Sequence, residues 1–209
     1  TGSTSAMLTS IRVASGRRAA HYTLPHLVDL NERWTVAGEQ LDPTDAIVEL
    51  QNASERAGIV PTYFEALTLI AFIAFARAKC DIAVLEVGMG GRLDATNVVK
   101  PIAAVITPVA MDHMEYLGNT LPRIAMEKAG VIHRGAIVLT SNDDPVVLDV
   151  IRRRAAKFGT RVIHVTGDRV IQPPRVSFRI DGPSRTRRNV RASYPHCRRG
   201  SDAGPRTED

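Results

Sequence analysis

Apolar residues recur along the first 165 positions in two alternating patterns, one typical of helices and the other of buried strands. Apolar residues three or four positions apart favour a helix, whereas short continuous runs of Val, Ile, Leu and Ala favour a buried strand. Helices are predicted at 3–15, 42–58, 61–79, 119–129 and 144–158. Strands are predicted at 19–23, 34–36, 81–87, 103–109, 136–140 and 161–165. The alternation predicts an α/β fold whose mostly parallel sheet is flanked by helices and covered on both faces.

The pattern stops near residue 167, and the two parts of the chain differ in composition. Residues 168–209 are rich in Arg, Pro, Ser and Gly without a sustained period, which predicts a disordered or irregular tail after a domain at 1–167. Residues 1–174 carry 18 basic and 18 acidic residues, whereas residues 175–209 carry nine Arg and four acids. Because the tail alone supplies the net charge of +5, we do not expect the body to bind nucleic acid. A tail that binds RNA or DNA is the alternative to plain disorder.

Neither a targeting segment nor a membrane span is expected from the sequence. The first residues are small and polar, without the basic start and apolar centre of a signal peptide. The longest apolar run, 67–76, is too short to cross a bilayer. Cys80 and Cys197 share no metal-like spacing and indicate no disulfide framework. We therefore expect a soluble, cytoplasmic protein without a membrane partner.

Two segments carry residues suited to phosphate and metal binding. Glu86 directly follows the apolar run 81–85 and precedes a glycine-rich polar loop. Ligands of open α/β sheets bind at the carboxyl ends of strands. The alternative is a tight turn with a solvated acid. Gly2, Ser3 and Thr4 open the first helix, where free N–H groups favour phosphate. The alternative there is an ordinary helix cap.

Two further residues follow the next strand. His113 lies beyond the predicted strand 103–109, on the same side of the sheet as Glu86, and a neutral imidazole can ligate a metal. A surface loop histidine is the alternative. Lys128 ends a predicted helix, where a lysine usually interacts with the helix dipole. A neutral lysine also reacts with CO₂ to give a carbamate, and the residues alone do not choose between these roles.

Several motifs occur together in an order that resembles one enzyme family. They are Gly2-Ser3-Thr4, Pro25-His26-Leu27-Val28-Asp29, Phe64-Glu65, Leu85 to Asn97, Asp112-His113 and Glu127-Lys128-Ala129-Gly130. This set resembles folylpolyglutamate synthase/dihydrofolate synthase of the Mur ligase superfamily over residues 1 to about 165. The resemblance implies an incomplete P-loop-type central domain of an ATP-dependent amide ligase. Such enzymes convert a carboxylate to an acyl phosphate with ATP, and the amine of L-glutamate then attacks it.

The resemblance also implies roles for particular residues. Gly2, Ser3 and Thr4 would bind ATP, while Ser3, Glu86 and His113 would hold Mg²⁺. Lys128, as a possible carbamate, and His113 would serve catalysis. The pterin pocket would be formed by Thr62, Tyr63, Phe64, Glu65, Leu93, Asp94 and Ala95. Core packing of Phe64 and turn capping by Asp94 are the alternatives. The implied partners are ATP, glutamate and dihydropteroate or folate, bound by a monomer.

The chain departs from the family at several points. Thr1 stands in the place of the phosphate-loop lysine, and Leu24 in the place of a metal-binding serine. The family's enzymes are also longer, so we expect a truncated or frameshifted product with weak or no ligase activity. The alternatives are a non-catalytic remnant, a partner-binding fragment, or another Mur-type ligase acting on a cell-wall peptide precursor.

Overall fold

The computed structural model describes residues 1–165 and two short strands beyond them. The chain divides into two compact units, Thr1–Thr166 and Gly167–Asp209. In the second unit, β8 (Ser177–Arg179) pairs antiparallel with β9 (Asn189–Arg191). The rest of the predicted disordered tail lies outside the described residues.

Four strands of the first unit form a mixed sheet in the order β3-β2-β1-β4. Their bounds are β1 (Ala19–Tyr22), β2 (Trp34–Val36), β3 (Glu39–Gln40) and β4 (Ile82–Leu85). β1 runs parallel to β4, with Tyr22 opposite Leu85, and β2 runs antiparallel to both of its neighbours. The tight turn at Ala37 and Gly38, both with positive φ, makes β2 and β3 antiparallel because so short a connection can only reverse the chain.

Three strands form a second sheet, which is entirely parallel. Its order is β5-β6-β7, with bounds β5 (Ala103–Ile106), β6 (Ile137–Thr140) and β7 (Val162–His164). The predicted α/β class with parallel strands and flanking helices is therefore confirmed. Among residues 1–165, however, the strands are divided between two sheets, since no ladder joins β4 to β5.

Within residues 1–165, one α-helix precedes the strands and five α-helices lie between them. Their bounds are α1 (Gly2–Ala14), α2 (Thr44–Ala57), α3 (Tyr63–Arg77), α4 (Met114–Leu117), α5 (Leu121–Lys128) and α6 (Pro145–Lys157). The single-turn α4 was not predicted, because one turn is too short to show a helical period. Across residues 1–165, none of these helices has both the length and the apolar character that a bilayer span requires.

Each sheet has its own core. In the first, Trp34 and Tyr22 are fully buried and pack with apolar residues of α3 such as Ala71. In the second, α5 and α6 cover one face of the parallel sheet, where Val138 and Ile151 are fully buried. The opposite face of that sheet is open in the described part of the chain, so the expectation that both faces are covered was wrong there: alternate residues of β5 and β6 remain exposed.

Candidate functional site

Glu86 lies just beyond β4 and is almost fully buried, 6% exposed. Because β1 and β4 are parallel and in register, the residues after both strands meet at one edge of the sheet. The carboxylate there accepts hydrogen bonds from Thr1 Oγ1 at 2.6 Å, Thr23 Oγ1 at 2.8 Å and the Leu24 backbone N–H at 3.1 Å. The alternative of a solvated turn acid is thereby excluded.

The three donors keep Glu86 ionised. Burial by itself raises the pKa of its carboxyl, but the hydrogen bonds from Thr1, Thr23 and Leu24 outweigh it and hold the pKa below the ordinary value. Leu24 cannot offer a side-chain oxygen, yet its backbone N–H binds the same carboxylate. The site therefore contains a fixed negative charge with a defined orientation.

The first turn of α1 lies directly against this carboxylate. A Cβ atom at Gly2 would be 3.5 Å from Glu86 Oε1. A helix N-terminus attracts anions, so a phosphate bound there would lie close to a second negative charge. Two adjacent anions are compatible when a cation lies between them, and this geometry suits a metal-bound phosphate.

A buried histidine, which the sequence pattern did not predict, anchors α1 to the sheet. His21 on β1 is 8% exposed, and its Nε2 lies 3.0 Å from Ser5 Oγ, which donates to Gly2 O at 2.9 Å. Burial lowers the pKa of His21, although the negative charge of Glu86 opposes this shift. His21 is thus a neutral residue that holds the first turn of α1 in place.

The predicted pterin segment at the start of α3 serves first as a helix cap. Thr62 and Glu65 form a capping box, in which the Thr62 N–H and hydroxyl donate to Glu65 Oε2 at 2.8 and 2.7 Å. The hydrogen bond from the Thr62 side chain, followed by that from its backbone, lowers the pKa of Glu65. Tyr63 is exposed, whereas Phe64 is half-buried and stacks on the Tyr22 ring with centroids 6.5 Å apart. Both interpretations of Phe64, core packing and ligand contact, remain compatible with this position.

The loop after β4 reaches the same place. A Cβ atom at Gly88 would lie 2.6 Å from Phe64 Cζ, so any other residue at this position would require the ring to shift. Asp94 accepts hydrogen bonds from Met89 N at 3.0 Å and from Thr96 N and Oγ1, which confirms its turn-capping role. Leu93 is exposed and Ala95 is half-buried. The start of α3 and the loop containing residues 93–95, which were predicted as the two halves of the pterin pocket, are thus close together in the structure.

The middle of this loop, at Gly91 and Arg92, packs on the C-terminus of α5, where Lys128 lies. Arg92 N donates to Glu127 O at 2.9 Å, and Arg92 Nε pairs with Glu127 Oε1 at 3.0 Å. A Cβ atom at Gly91 would be 3.1 Å from Lys128 O, and one at Gly130 would overlap the Arg92 backbone. Lys128 is half-buried, and no residue within 1–165 forms an ion pair with it.

His113 lies in a different contact environment from Glu86. It precedes α4 with φ 49°, is exposed, and its Nε2 is 3.5 Å from Asp112 Oδ2. Ser3 is also exposed, in the first turn of α1. Over the described part of the chain, no three His, Cys, Asp or Glu residues are grouped to hold a metal ion. The set of Ser3, Glu86 and His113 as metal ligands therefore stays a prediction.

Arg33 and His26 were not predicted as functional residues. Arg33 is 8% exposed although it carries a charge, and its Nε donates to His26 Nδ1 at 2.8 Å. A signal was present in the sequence, because Arg33 directly precedes the apolar strand β2. A charged residue at such a boundary is usually solvated, so the sequence alone did not distinguish it.

Comparison with known proteins identifies the family. Residues 42–171 match the Mur ligase middle domain. The dihydrofolate synthase/folylpolyglutamate synthase of Bacillus subtilis is 38% identical over 169 residues, covering 75% of this chain and 38% of that protein.

Two solved structures show the same fold. An Escherichia coli FolC in complex with DHPP and ADP is 38% identical with a TM-score of 0.72, covering 77% of this chain and 39% of that one. An FPGS-AMPPCP-folate complex is 36% identical with a TM-score of 0.73, covering 78% and 42%. The chain thus spans well under half the length of the relatives it matches. It belongs to the Mur ligase family, and its sequence and fold are similar to those of the folylpolyglutamate and dihydrofolate synthases.

Proposed function

We propose that the chain carries the nucleotide- and pterin-binding parts of an ATP-dependent ligase that joins L-glutamate to dihydropteroate or to a folate. The observation that carries the proposal is the contact between the first turn of α1 and the buried, ionised Glu86. Support comes from the relatives, which are named as synthases of this kind and have been solved with ADP, AMPPCP, DHPP and folate.

In this proposal Gly2, Ser3 and Thr4 surround the nucleotide phosphates at the positive end of α1. Glu86 fits a Mg²⁺ ligand, because it is ionised and its two oxygens accept three hydrogen bonds, which leaves acceptor capacity. Mg²⁺ is commonly held by one or two carboxylates together with water and phosphate oxygens. Ser3 and His113 are proposed as its other protein ligands. When bound, Mg²⁺ would neutralise phosphate charge during acyl phosphate formation.

Lys128 is proposed as a catalytic residue with His113. Lys128 is half-buried, and its backbone lies beside the loop after β4. A carbamate on its side chain would supply an anionic oxygen to the site. The proposed pterin pocket combines the ring of Phe64 with Thr62, Tyr63 and Glu65 on one side and Leu93, Asp94 and Ala95 on the other. Since Asp94 and Glu65 already act as caps, we expect them to shape the pocket as well as to offer acceptors.

The activity of this chain by itself is proposed to be weak or absent. Thr1 donates to Glu86 where the family resemblance implies a phosphate-binding lysine, so one positive charge for the phosphates is missing. Each unmade charged hydrogen bond costs about 1.5–3 kcal/mol. We propose that the chain acts as a monomer in the cytoplasm. The sequence has two cysteines without disulfide-like spacing, which supports a reducing compartment.

Binding and turnover experiments test the proposal. We expect the purified chain to bind Mg-ADP and pteroate in calorimetric titrations, and E86A to lose the Mg²⁺ dependence of ADP binding. A folded chain that binds neither ligand would contradict the proposal and favour a partner-binding fragment. Ligation is followed by incorporation of labelled glutamate into dihydropteroate. Turnover that requires ATP and Mg²⁺ would show that the expected weak activity is wrong.

A further inference from the structure

The side chain of Asn97, near the end of the loop after β4, forms hydrogen bonds with both of its polar atoms. Its Nδ2 donates to Arg92 O at 3.1 Å and to Gly130 O at 3.3 Å, and its Oδ1 lies 2.9 Å from His133 Nε2. A backbone carbonyl can only accept, so the NH₂ group of Asn97 must face Arg92 and Gly130. The orientation of the amide is thereby fixed, and His133 donates its Nε2–H to Asn97 Oδ1.

These hydrogen bonds connect two segments that are separate in the sequence. Arg92 belongs to the same loop as Asn97, so the bond between them closes the loop around residues 93–95. Gly130 and His133 belong instead to the segment that begins at the end of α5. Asn97 therefore closes the loop and also attaches it to the segment that follows α5.

Other hydrogen bonds of the loop do not replace this attachment. The bonds that Asp94 accepts come from residues of the same loop, so they fix its internal shape rather than its position. Arg92 binds Glu127 of α5, but Arg92 precedes residues 93–95, whereas Asn97 follows them. Residues 93–95 are thus held against the α5 segment from both sides, and Asn97 provides the second side.

We propose that Asn97 and His133 are positioning residues for the half of the proposed pterin pocket formed by residues 93–95, an inference that rests on the proposed function. Neither residue belongs to that pocket, and each acts through the position of the loop. When a loop spends less time in its binding-competent position, the apparent affinity for its ligand falls by that fraction. Loss of these contacts should weaken the binding of a pterin acid but not of a nucleotide, whose phosphates are expected at α1.

Calorimetric titrations of the purified chain with pteroate and with Mg-ADP test the inference. Loss of one neutral hydrogen bond corresponds to about a 2- to 10-fold change in affinity. N97A loses three such bonds, and we expect it to weaken pteroate binding by about 10-fold with Mg-ADP binding unchanged. H133L loses one bond and should weaken pteroate binding about 2- to 10-fold. H133Q can still donate to Asn97 through its amide and should bind pteroate within about twofold of the unmodified chain.

A double variant and a matched control distinguish positioning from a general loss of stability. The double variant N97A/H133L should bind pteroate as N97A does, since the bond to His133 is already lost in N97A. The control N52A removes an amide from an exposed position on α2 and should bind both ligands as the unmodified chain does. Fluorescence of the buried Trp34 shows whether each variant is folded under the titration conditions.

Each other outcome contradicts the inference. Unchanged pteroate binding by N97A, or by H133L if N97A does not fold, would overturn it while leaving the proposed function intact. Equal weakening of pteroate and Mg-ADP would show a general structural role for Asn97. A loss in H133Q as large as in H133L, or additive losses in the double variant, would show that the hydrogen bond between the two residues does not position the loop. An unmodified chain that binds neither ligand would overturn the proposed function together with the inference.

Discussion

The charge of Glu86 should stabilise the folded chain, and its replacement by glutamine tests this. Glutamine keeps the shape of the side chain but removes the charge. Its carbonyl can still accept from Thr23 and Leu24, which share one carboxylate oxygen, while its NH₂ group would face Thr1 Oγ1. Three hydrogen bonds to an ionised acceptor thus become weaker neutral bonds. Removing a buried charge offsets part of the loss, so we expect E86Q to lower the free energy of unfolding by about 1–3 kcal/mol at pH 7.

The effect should depend on pH in a defined direction. The folded-state pKa of Glu86 is held below the unfolded value, so its contribution is present above the unfolded pKa and is lost as pH falls through the folded pKa. The difference in free energy of unfolding between the unmodified chain and E86Q should therefore be largest at neutral pH. It should shrink below about pH 4.3, the ordinary pKa of glutamate.

Urea denaturation can follow this gap through Trp34, the single tryptophan, which is fully buried in the first core. Curves at pH 7, 5, 4 and 3.5 give the free energy of unfolding for each variant. E55Q serves as a matched control, because Glu55 is exposed on α2 and its change should stay within about 0.5 kcal/mol. A gap that is absent at pH 7, or that persists unchanged at pH 3.5, would refute the reasoning.

Three further changes test the packing and helix capping of the fold, each measured by the free energy of unfolding from urea denaturation followed by circular dichroism. G130A should lower the free energy of unfolding by about 1–3 kcal/mol, because the added methyl group would overlap the Arg92 backbone. An unchanged free energy of unfolding would show that the loop can move away. I151A should cost about 2–5 kcal/mol, since Ile151 is fully buried in the second core; a loss under 1 kcal/mol would contradict that packing. D144A should cost about 1 kcal/mol by removing the cap that accepts from Val146 N and Val147 N, whereas D144N should retain most of the stability.

The order and type of most elements could be predicted from the sequence, because local signals specify them. Continuous apolar runs marked β4 to β7, and Gly58 with φ 63° ended α2 where the pattern predicted. Asp144 and Pro145 likewise began α6. The local signals did not predict which strands pair with each other. It depends on contacts between distant segments, and the division into two sheets became visible only in the structure.

The sequence by itself determined which residues could do the chemistry, and the tertiary structure decided what surrounds them. The strand-end position of Glu86 was evident from its neighbours, but its burial and its three donors come from residues 1, 23 and 24, brought to it by parallel pairing of β1 with β4. The hydrogen bonds by which Asp94 caps its turn became visible only in the structure, and they leave its proposed role in the pterin pocket open to test. The burial of Arg33 follows only from the tertiary structure, because its place before an apolar strand is also compatible with a solvated side chain.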